Sequence, residues 1–264
     1  MQTLFDLLVK DKFLRLLVLG LCLSSFAQES DANETSGERI ALVIGNNAYI
    51  SEASLASPIP SAQAVAETLE DLGFKVLYYT DLSYFAMLDA LEDFRRNLQR
   101  GGVGFFYYSG HGYNNKQDKW PTFALNDGYL WMTDVVRELK KKNPKLLMVV
   151  GECCNSYMDS DNLPSIRNNS LSSSNCKKLF RDFQGRKTIL MSSSIQGQLS
   201  WSSLTKGSLH GICFRNAFYK FANSANANPS WNSILEETKR LTKIATNQKQ
   251  KPQFVITFPS CSRC

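Results

Sequence analysis

Apolar residues along the chain follow two patterns, short continuous runs and longer stretches with helical spacing. The continuous runs are typical of strands buried on both faces of a sheet. They occupy residues 40–45, 74–79, 103–108, 145–150, 188–193 and 254–258, with a weaker strand near 123–125. Between these runs, apolar residues recur every three or four positions, which predicts amphipathic helices. We expect helices over 62–72, 84–98, 133–142, 211–222 and 230–246, with Ser61 and Ser83 as N-caps of the first two.

Strands that alternate with helices are typical of an α/β fold, in which helices cover both faces of a mostly parallel sheet. The segment 158–187 is rich in Ser and Asn and has little apolar periodicity, so it predicts a linker loop. The chain is therefore expected to contain a first part over 39–157, this linker, a second part over 188–258 and a tail over 259–264.

The N-terminus has the pattern of an export signal. Basic residues precede an apolar run over 16–26, and small residues follow at the positions that a signal peptidase recognises. The run is short for a bilayer span, which disfavours the alternative of an uncleaved membrane anchor. We therefore predict a signal peptide over 1–27, a polar leader over 28–38 and a periplasmic or extracellular protein, with no membrane contact once the signal is cleaved.

Composition excludes several classes of protein. Of 264 residues, 43% are hydrophobic and 20% charged, which is typical of a globular chain with a core and argues against disorder. The net charge is +6, but the one dense basic run, over 140–145, is too short for a nucleic-acid-binding stripe.

Cys261 and Cys264 have the spacing of half a zinc site, yet two histidines and no second cysteine pair favour a disulfide or free thiols. We expect no metal and no cofactor.

Two loops that directly follow strong apolar strands carry the candidate chemistry. One contains His111 between glycines, and the other contains Cys153 and Cys154. Sites in open parallel sheets form beyond the carboxyl ends of the strands, and neighbouring strands lie about 4.8 Å apart. If these two strands are neighbours, an imidazole base can therefore face a thiol nucleophile, with the Gly112 amide free to bind an oxyanion. The alternative is a structural histidine beside cysteines that only pack.

Sequence signatures of other enzyme classes are absent. The chain has no Gly-x-Ser-x-Gly elbow, no phosphate-binding loop, no His-Glu-x-x-His and no dinucleotide fingerprint.

Several segments resemble the caspase and metacaspase superfamily of cysteine peptidases, and within it the bacterial caspase-like proteins. Residues 107–112, Tyr-Tyr-Ser-Gly-His-Gly, are similar to the histidine motif of that superfamily. Residues 39–49 and 72–76 look like its first two strands, and 211–218 resembles the helix start of its small subunit. The separation of His111 from the cysteine pair is close to the roughly 50 residues expected for caspases. The resemblance covers about residues 38–258.

The resemblance implies a caspase-hemoglobinase fold, a mostly parallel six-stranded sheet flanked by helices on both faces. Residues 39–157 then resemble the large subunit and 188–258 the small subunit. The nucleophile motif of the family is an acidic residue or Gln, a small residue and then the cysteine. Laid on Glu152, Cys153 and Cys154, this motif makes Cys154 the nucleophile and points Cys153 inward. An offset that starts at Gly151 selects Cys153 instead.

The family also implies roles for the surrounding residues. His111 would be the base, and the backbone amides of Gly112 and Cys154 would be the oxyanion donors. In metacaspases two acids line a pocket for Lys or Arg; Glu152 fills the first of these roles, whereas Ser61 stands where the second is expected. A basic P1 preference is the resulting expectation, with a structural acid as the alternative for Glu152. His210 is interpreted as a structural or surface residue.

The sequence therefore predicts a cysteine endopeptidase that hydrolyses peptides or proteins through a thioester acyl-enzyme. The competing hypothesis is a catalytically inactive caspase-homology module that serves protein binding or signalling, since export favours oxidation of exposed thiols. Cutting of the linker over 158–187 into two subunits, as in many relatives, stays open.

Overall fold

The computed structural model describes residues 38–114, 116, 118–157, 187–203, 207–222 and 231–257. The predicted signal peptide over 1–27, residues 28–37 of the predicted leader, residues 158–186 of the predicted linker and the predicted tail over 259–264 lie outside these residues. Within the described ranges, no helix has the length and apolar character needed to cross a bilayer.

Twelve strands and five helices make up the described part of the chain. The strands are β1 (Arg39–Gly45), β2 (Lys75–Thr80), β3 (Val103–Ser109), β4 (Gly112–Asn114), β5 (Thr122–Ala124), β6 (Tyr129–Trp131), β7 (Leu146–Glu152), β8 (Ser156–Tyr157), β9 (Lys187–Ser192), β10 (Ser202–Ser203), β11 (Gly207–Ser208) and β12 (Gln253–Thr257). The helices are α1 (Pro58–Asp71), α2 (Tyr84–Asn97), α3 (Met132–Lys140), α4 (Leu209–Ala222) and α5 (Trp231–Ala245).

The central sheet has six strands in the order β12-β9-β7-β3-β1-β2. All neighbours in it run parallel except β12, which is antiparallel to β9. Successive side chains of a strand point to opposite faces. In β1, Ile40, Leu42 and Ile44 therefore pack with α2 and α3, whereas Ala41 and Val43 pack with α1, α4 and α5. The predicted α/β class and the six-stranded sheet covered on both faces are confirmed.

Helix α1 begins earlier than the sequence pattern predicts. Ser61 was the expected N-cap, but the helix starts at Pro58, and Ser57 occupies the N-cap position. Proline suits the first turn of a helix because its fixed φ is already helical and the N–H that it lacks would have no partner there. The Ser61 hydroxyl instead donates to the Ser57 carbonyl at 2.8 Å, inside the first turn.

Two smaller sheets extend the edge where the parallel strands end. One has four strands in the order β6-β5-β4-β8, and the other pairs β10 with β11. The sequence pattern indicated only β5 among these strands. Because β4 follows β3 and β8 follows β7, the four-stranded sheet continues the two central strands beyond their carboxyl ends.

The N-cap of α2 provides a stability test with a matched control. The Ser83 hydroxyl accepts a hydrogen bond from the Ala86 amide at 3.3 Å, whereas Ser57 makes no side-chain capping bond to α1. Ser83→Ala is therefore expected to lower the free energy of unfolding by about 1 kcal/mol. Ser57→Ala is expected to change it by a few tenths at most. Urea denaturation measures both, and equal losses for the two variants would contradict the capping argument.

Candidate active site

The strands that precede His111 and Cys154 are neighbours in the central sheet, as a site formed by these two residues requires. β3 and β7 pair in parallel, with Ser109 opposite Glu152. His111 and Cys154 follow these residues by the same number of positions. The pairing continues into the smaller sheet, where Tyr113 lies opposite Ser156. The strand register therefore places the histidine and the cysteine at corresponding points of one sheet edge.

Gly112 allows the two strand ends to approach each other closely. A Cβ atom at this position would lie 2.7 Å from Cβ of Cys153 and 2.8 Å from the carbonyl oxygen of Cys154. Real Cβ atoms do not come this close to backbone atoms. The histidine loop is thus packed directly against the backbone of the cysteine pair, which a larger residue would prevent.

The two cysteines occupy different environments. Cys153 is 1% exposed and packs in the core, and burial raises the pKa of its thiol well above the usual range. Cys154 is half-buried, and its Sγ accepts a hydrogen bond from the Ser200 amide at 3.3 Å. Burial also raises the pKa of the Cys154 thiol, and the Ser200 bond partly offsets that effect. Both cysteines are free thiols, as is Cys213. Of the adjacent pair, Cys154 is the sulfur that lies nearer solvent.

The His111 ring is held in one orientation by the loop between β1 and α1. Nε2 lies 2.8 Å from the Ala53 carbonyl oxygen, which can only accept, so Nε2 carries the hydrogen. Nδ1 keeps its lone pair and lies 3.9 Å from Oε2 of Glu52. The His111 amide donates to the Tyr49 hydroxyl at 2.8 Å, and the Tyr49 ring packs against the imidazole. The ring is 23% exposed and therefore accessible.

The Cys154 thiol and the His111 imidazole form no hydrogen bond with each other in the described structure. Cys154 is bonded to the Ser200 amide, and neither ring nitrogen of His111 makes a described hydrogen bond to it. Catalytic hydrogen bonds are often long in enzymes without substrate and shorten in the complex. In the described arrangement Nδ1 of His111 is not used in a described hydrogen bond and can accept a proton, and burial raises the pKa of the Cys154 thiol.

Glu152 is a buried carboxylate at the end of β7. Its Oε1 accepts hydrogen bonds from the Ser208 hydroxyl and from the Gly211 amide at the start of α4. The Ser208 amide donates in turn to the Ser61 hydroxyl at 2.7 Å. Glu152 and Ser61, which the resemblance assigned to one pocket, are thus connected through Ser208. These bonds also fit the structural alternative for Glu152.

His210 is buried, which excludes the surface alternative of its interpretation and agrees with the structural one. It is 0% exposed, and Nδ1 lies 3.3 Å from Oε1 of Glu152. Within the described part of the chain, neither of its ring nitrogens nor Oε2 of Glu152 has a hydrogen-bond partner. This pairing could not be predicted from the sequence, because His210 and Glu152 come from distant segments that meet where α4 packs on the sheet.

Glu52 is the site residue that sequence reasoning missed. Besides lying near His111, its carboxylate accepts hydrogen bonds from the hydroxyls of Tyr113 and Tyr129. A single acid in a polar loop carries no pattern, and only the folded chain shows which side chains surround it.

The described residues offer no metal site at this edge, and a large apolar cavity among them lies elsewhere. No group of three or more His, Cys, Asp and Glu side chains among them is placed to hold an ion. An apolar cavity of about 270 Å³ lies at the opposite end of the sheet, where it is lined by Arg39, Val103 and Leu146 at the strand starts. It is therefore separate from the chemistry of His111 and Cys154.

Two curated relatives match part of the chain. The mucosa-associated lymphoid tissue lymphoma translocation protein 1 homolog of Mus musculus is 27% identical over 140 residues, which are 51% of this chain and 17% of that protein. The Homo sapiens protein of that name is 28% identical over 130 residues, 47% of this chain and 16% of that protein. The chain thus spans about a sixth of the length of these relatives.

Comparison with solved structures and with family models covers more of the chain. A crystal structure of a Geobacter sulfurreducens protein matches with a TM-score of 0.61 at 19% identity, over 85% of this chain and 95% of that one. At this identity the likeness shows the fold. The family model described as the caspase domain matches residues 38–260, which include both strands of the site and the part that follows the linker. The chain therefore belongs to the caspase domain family.

Proposed function

We propose that this protein is an active cysteine endopeptidase with Cys154 as nucleophile and His111 as general base. Membership of the caspase family implies cysteine-peptidase-like chemistry in general terms. The observation that carries the specific proposal is the β3–β7 register, which brings both residues to corresponding points of one sheet edge. Free thiols, one ring nitrogen with an available lone pair and an accessible imidazole support it.

The proposed reaction proceeds through a thioester. Nδ1 of His111 takes the proton of the Cys154 thiol, and the thiolate attacks the carbonyl carbon of the scissile bond. The backbone amides of Gly112 and Cys154 donate to the oxyanion that forms. The C–N bond breaks as Nδ1 returns its proton to the leaving amine, which leaves an acyl-thioester. Water, deprotonated by His111, hydrolyses that thioester, and the thiol regains its proton.

Burial of Cys154 requires a rearrangement before attack. The raised pKa keeps the resting thiol protonated at neutral pH, and the Ser200 amide holds Sγ at 3.3 Å. The proposed reaction therefore requires the Cys154 side chain to leave Ser200 and to reach Nδ1. Ionisation then depends on contact with the imidazole rather than on an intrinsically acidic thiol.

Substrates are proposed to be peptides or proteins with Lys or Arg at P1. Support comes from Oε2 of Glu152, which lacks a hydrogen-bond partner among the described residues. The preference is expected to be modest, because Ser61 supplies no second charge and the cleft that Ser61 lines also contains the positively charged Arg215. That cleft holds a cavity of only about 20 Å³, so a basic side chain must widen it. Action after export is also a proposal, based on the predicted signal peptide.

A peptide-library cleavage assay tests the proposed function. We expect the purified chain to cleave internal peptide bonds, with basic P1 residues favoured about fivefold over leucine, as one weak ion pair allows. The matched control is Cys154→Ala, purified in the same way, which should release no products. Absence of cleavage by the unaltered chain would contradict the peptidase proposal.

The inactive-module hypothesis is the second candidate, and one observation favours it. In the described structure the Cys154 thiol is bonded to Ser200 instead of His111, and its pKa is raised. If that arrangement persists when peptides bind, the chain recognises them without cutting. Peptide binding without cleavage in the same library would support this candidate.

A further inference from the structure

A carboxylate is built into the wall of the site beside His111. Glu52 lies in the loop between β1 and α1, and its side chain is 15% exposed. Oε1 accepts a hydrogen bond from the Tyr129 hydroxyl at 3.1 Å, and Oε2 accepts one from the Tyr113 hydroxyl. Tyr113 is on β4 and Tyr129 on β6, so the four-stranded sheet holds both oxygens. The carboxylate is thereby fixed with Oε2 at 3.9 Å from Nδ1 of His111.

The two tyrosines act on Glu52 as neutral donors. Burial, followed by the interactions with Glu52, raises the pKa of Tyr129 to about 12 and raises the pKa of Tyr113 further. Both hydroxyls therefore keep their protons at neutral pH and donate them to the carboxylate. Hydrogen bonds from neutral donors favour the charged form of a carboxylate. The hydroxyls of Tyr113 and Tyr129 therefore hold the Glu52 carboxylate in place without adding a positive charge beside it.

The other titratable groups around the imidazole do not provide a competing charge near neutral pH. The Tyr49 ring packs against His111 with centroids 4.7 Å apart, and burial raises the pKa of its hydroxyl to about 12. Burial raises the pKa of Tyr108, whose hydroxyl donates to the His111 carbonyl, well above its usual range. Burial does the same for the thiol of Cys153. Among the described residues around the ring, the carboxylate of Glu52 is the acidic side chain that lies near a ring nitrogen.

Adjacent residues of one loop contact both ring nitrogens. The Ala53 carbonyl accepts the hydrogen of Nε2, so a proton that arrives from Cys154 must bind at Nδ1, the nitrogen that lies near Glu52. A negative charge within about 4–6 Å of a forming positive charge favours the charged form. Oε2 of Glu52, at 3.9 Å from Nδ1, lies within that range.

We propose that Glu52 is a positioning residue, which stabilises the protonated His111 imidazole and so increases the fraction of Cys154 present as thiolate. The inference rests on the proposed function, because it assigns Cys154 and His111 as the reacting pair. It adds a carboxylate, held by Tyr113 and Tyr129, that favours proton transfer from sulfur to nitrogen. The carboxylate contacts neither the substrate nor the sulfur in this role.

The pH profile of Cys154 alkylation by iodoacetamide tests the proposal without requiring peptide cleavage. Peptide-mapping mass spectrometry follows the modification of Cys154 itself. A thiolate–imidazolium pair gives a shoulder of reactivity near pH 7, below the range in which an isolated thiol ionises. Glu52→Gln keeps the shape of the side chain and removes its charge. The alkylation rate of Cys154 at the shoulder is therefore expected to fall about tenfold, which corresponds to a change of about one unit in the pKa that governs thiolate formation. At high pH, where the thiol is ionised in both proteins, the two rates should converge.

Controls separate a charge effect from a structural one. Glu52→Asp should restore most of the shoulder, and Glu67→Gln, at an exposed acid on α1, should leave it unchanged. His111→Ala should remove it. Added salt should lower the shoulder of the unaltered protein more than that of Glu52→Gln, because a partly exposed charge is screened. If Glu52→Gln folds poorly, the salt dependence of the shoulder in the unaltered protein and the result for Glu52→Asp still test the charge effect.

Specific outcomes overturn the inference. The inference is wrong if the unaltered protein shows no shoulder, or if Glu52→Gln leaves the shoulder intact. It is also wrong if Glu52→Gln lowers the alkylation rate equally at every pH, because that result indicates altered access to the thiol. Failure of the proposed function looks different. In that case the unaltered protein shows the shoulder, and its dependence on Glu52, but cleaves no peptide.

Discussion

Replacing Cys154 by alanine is expected to abolish peptide cleavage, and His111→Ala should lower kcat/KM by at least about 10³-fold. Without Sγ no thioester can form. Without the imidazole, the Cys154 thiol keeps its raised pKa and remains protonated at neutral pH. The His111→Ala protein therefore has neither an activated nucleophile nor a proton donor for the leaving amine. Initial rates on a cleaved library peptide, with circular dichroism to verify folding, measure the effect.

Cys153→Ala is the matched control for the nucleophile. It removes a neighbouring sulfur that is buried in the core and packs against Gly112. A change from Cys to Ala at a buried position should lower stability by about 1 kcal/mol while most of the activity remains. The opposite pattern, with activity lost in Cys153→Ala and retained in Cys154→Ala, would establish the offset assignment of the nucleophile.

Gly112→Ala is expected to have the second-largest effect, on both stability and turnover. The new Cβ would meet the carbonyl oxygen of Cys154 at 2.8 Å, so the two strand ends must separate. Overpacking of this kind costs about 1–3 kcal/mol of stability. A displacement of about 1 Å between reacting groups lowers the rate by about 10²-fold. Urea denaturation and kcat/KM measure the two losses.

Gly73→Ala distinguishes local crowding from general destabilisation. Gly73 has a φ of +76°, and no atom lies within 4 Å of where its Cβ would be. Alanine there should cost about 1 kcal/mol through backbone strain alone and leave kcat/KM unchanged. Adding Cys153→Ala to Gly112→Ala should not restore activity, because the Cys154 carbonyl remains in the way. Full activity of Gly112→Ala would show that the strand ends tolerate separation.

The central sheet could be predicted from sequence because burial on both faces leaves a strong signal. β3 and β7 are continuous apolar runs, and their lengths and loops indicated that His111 and Cys154 lie at the same edge. Their adjacency and register could not be deduced from the runs themselves, since any two parallel strands have similar composition. Adjacency was therefore a condition of the predicted site, and the pairing of Ser109 with Glu152 meets it.

Most polar contacts around the site could not be predicted from the sequence. Strands β4, β6 and β8 have two or three residues each, too few for a period of two to be visible. They nevertheless carry Tyr113 and Tyr129 to the carboxylate of Glu52. The burial of His210 beside Glu152 likewise depends on how α4 packs, which the helical spacing of α4 does not specify.

Identification of the residue modified by an electrophilic peptide probe tests the central claim most directly. The protein is treated with a peptide that carries a P1 lysine and a thiol-reactive ketone, and the adduct is located by peptide-mapping mass spectrometry. We predict a single adduct on Cys154 that disappears in His111→Ala and after denaturation. An adduct on Cys153, labelling spread evenly over the cysteines, or labelling that survives the loss of His111 would contradict the assignment of this pair.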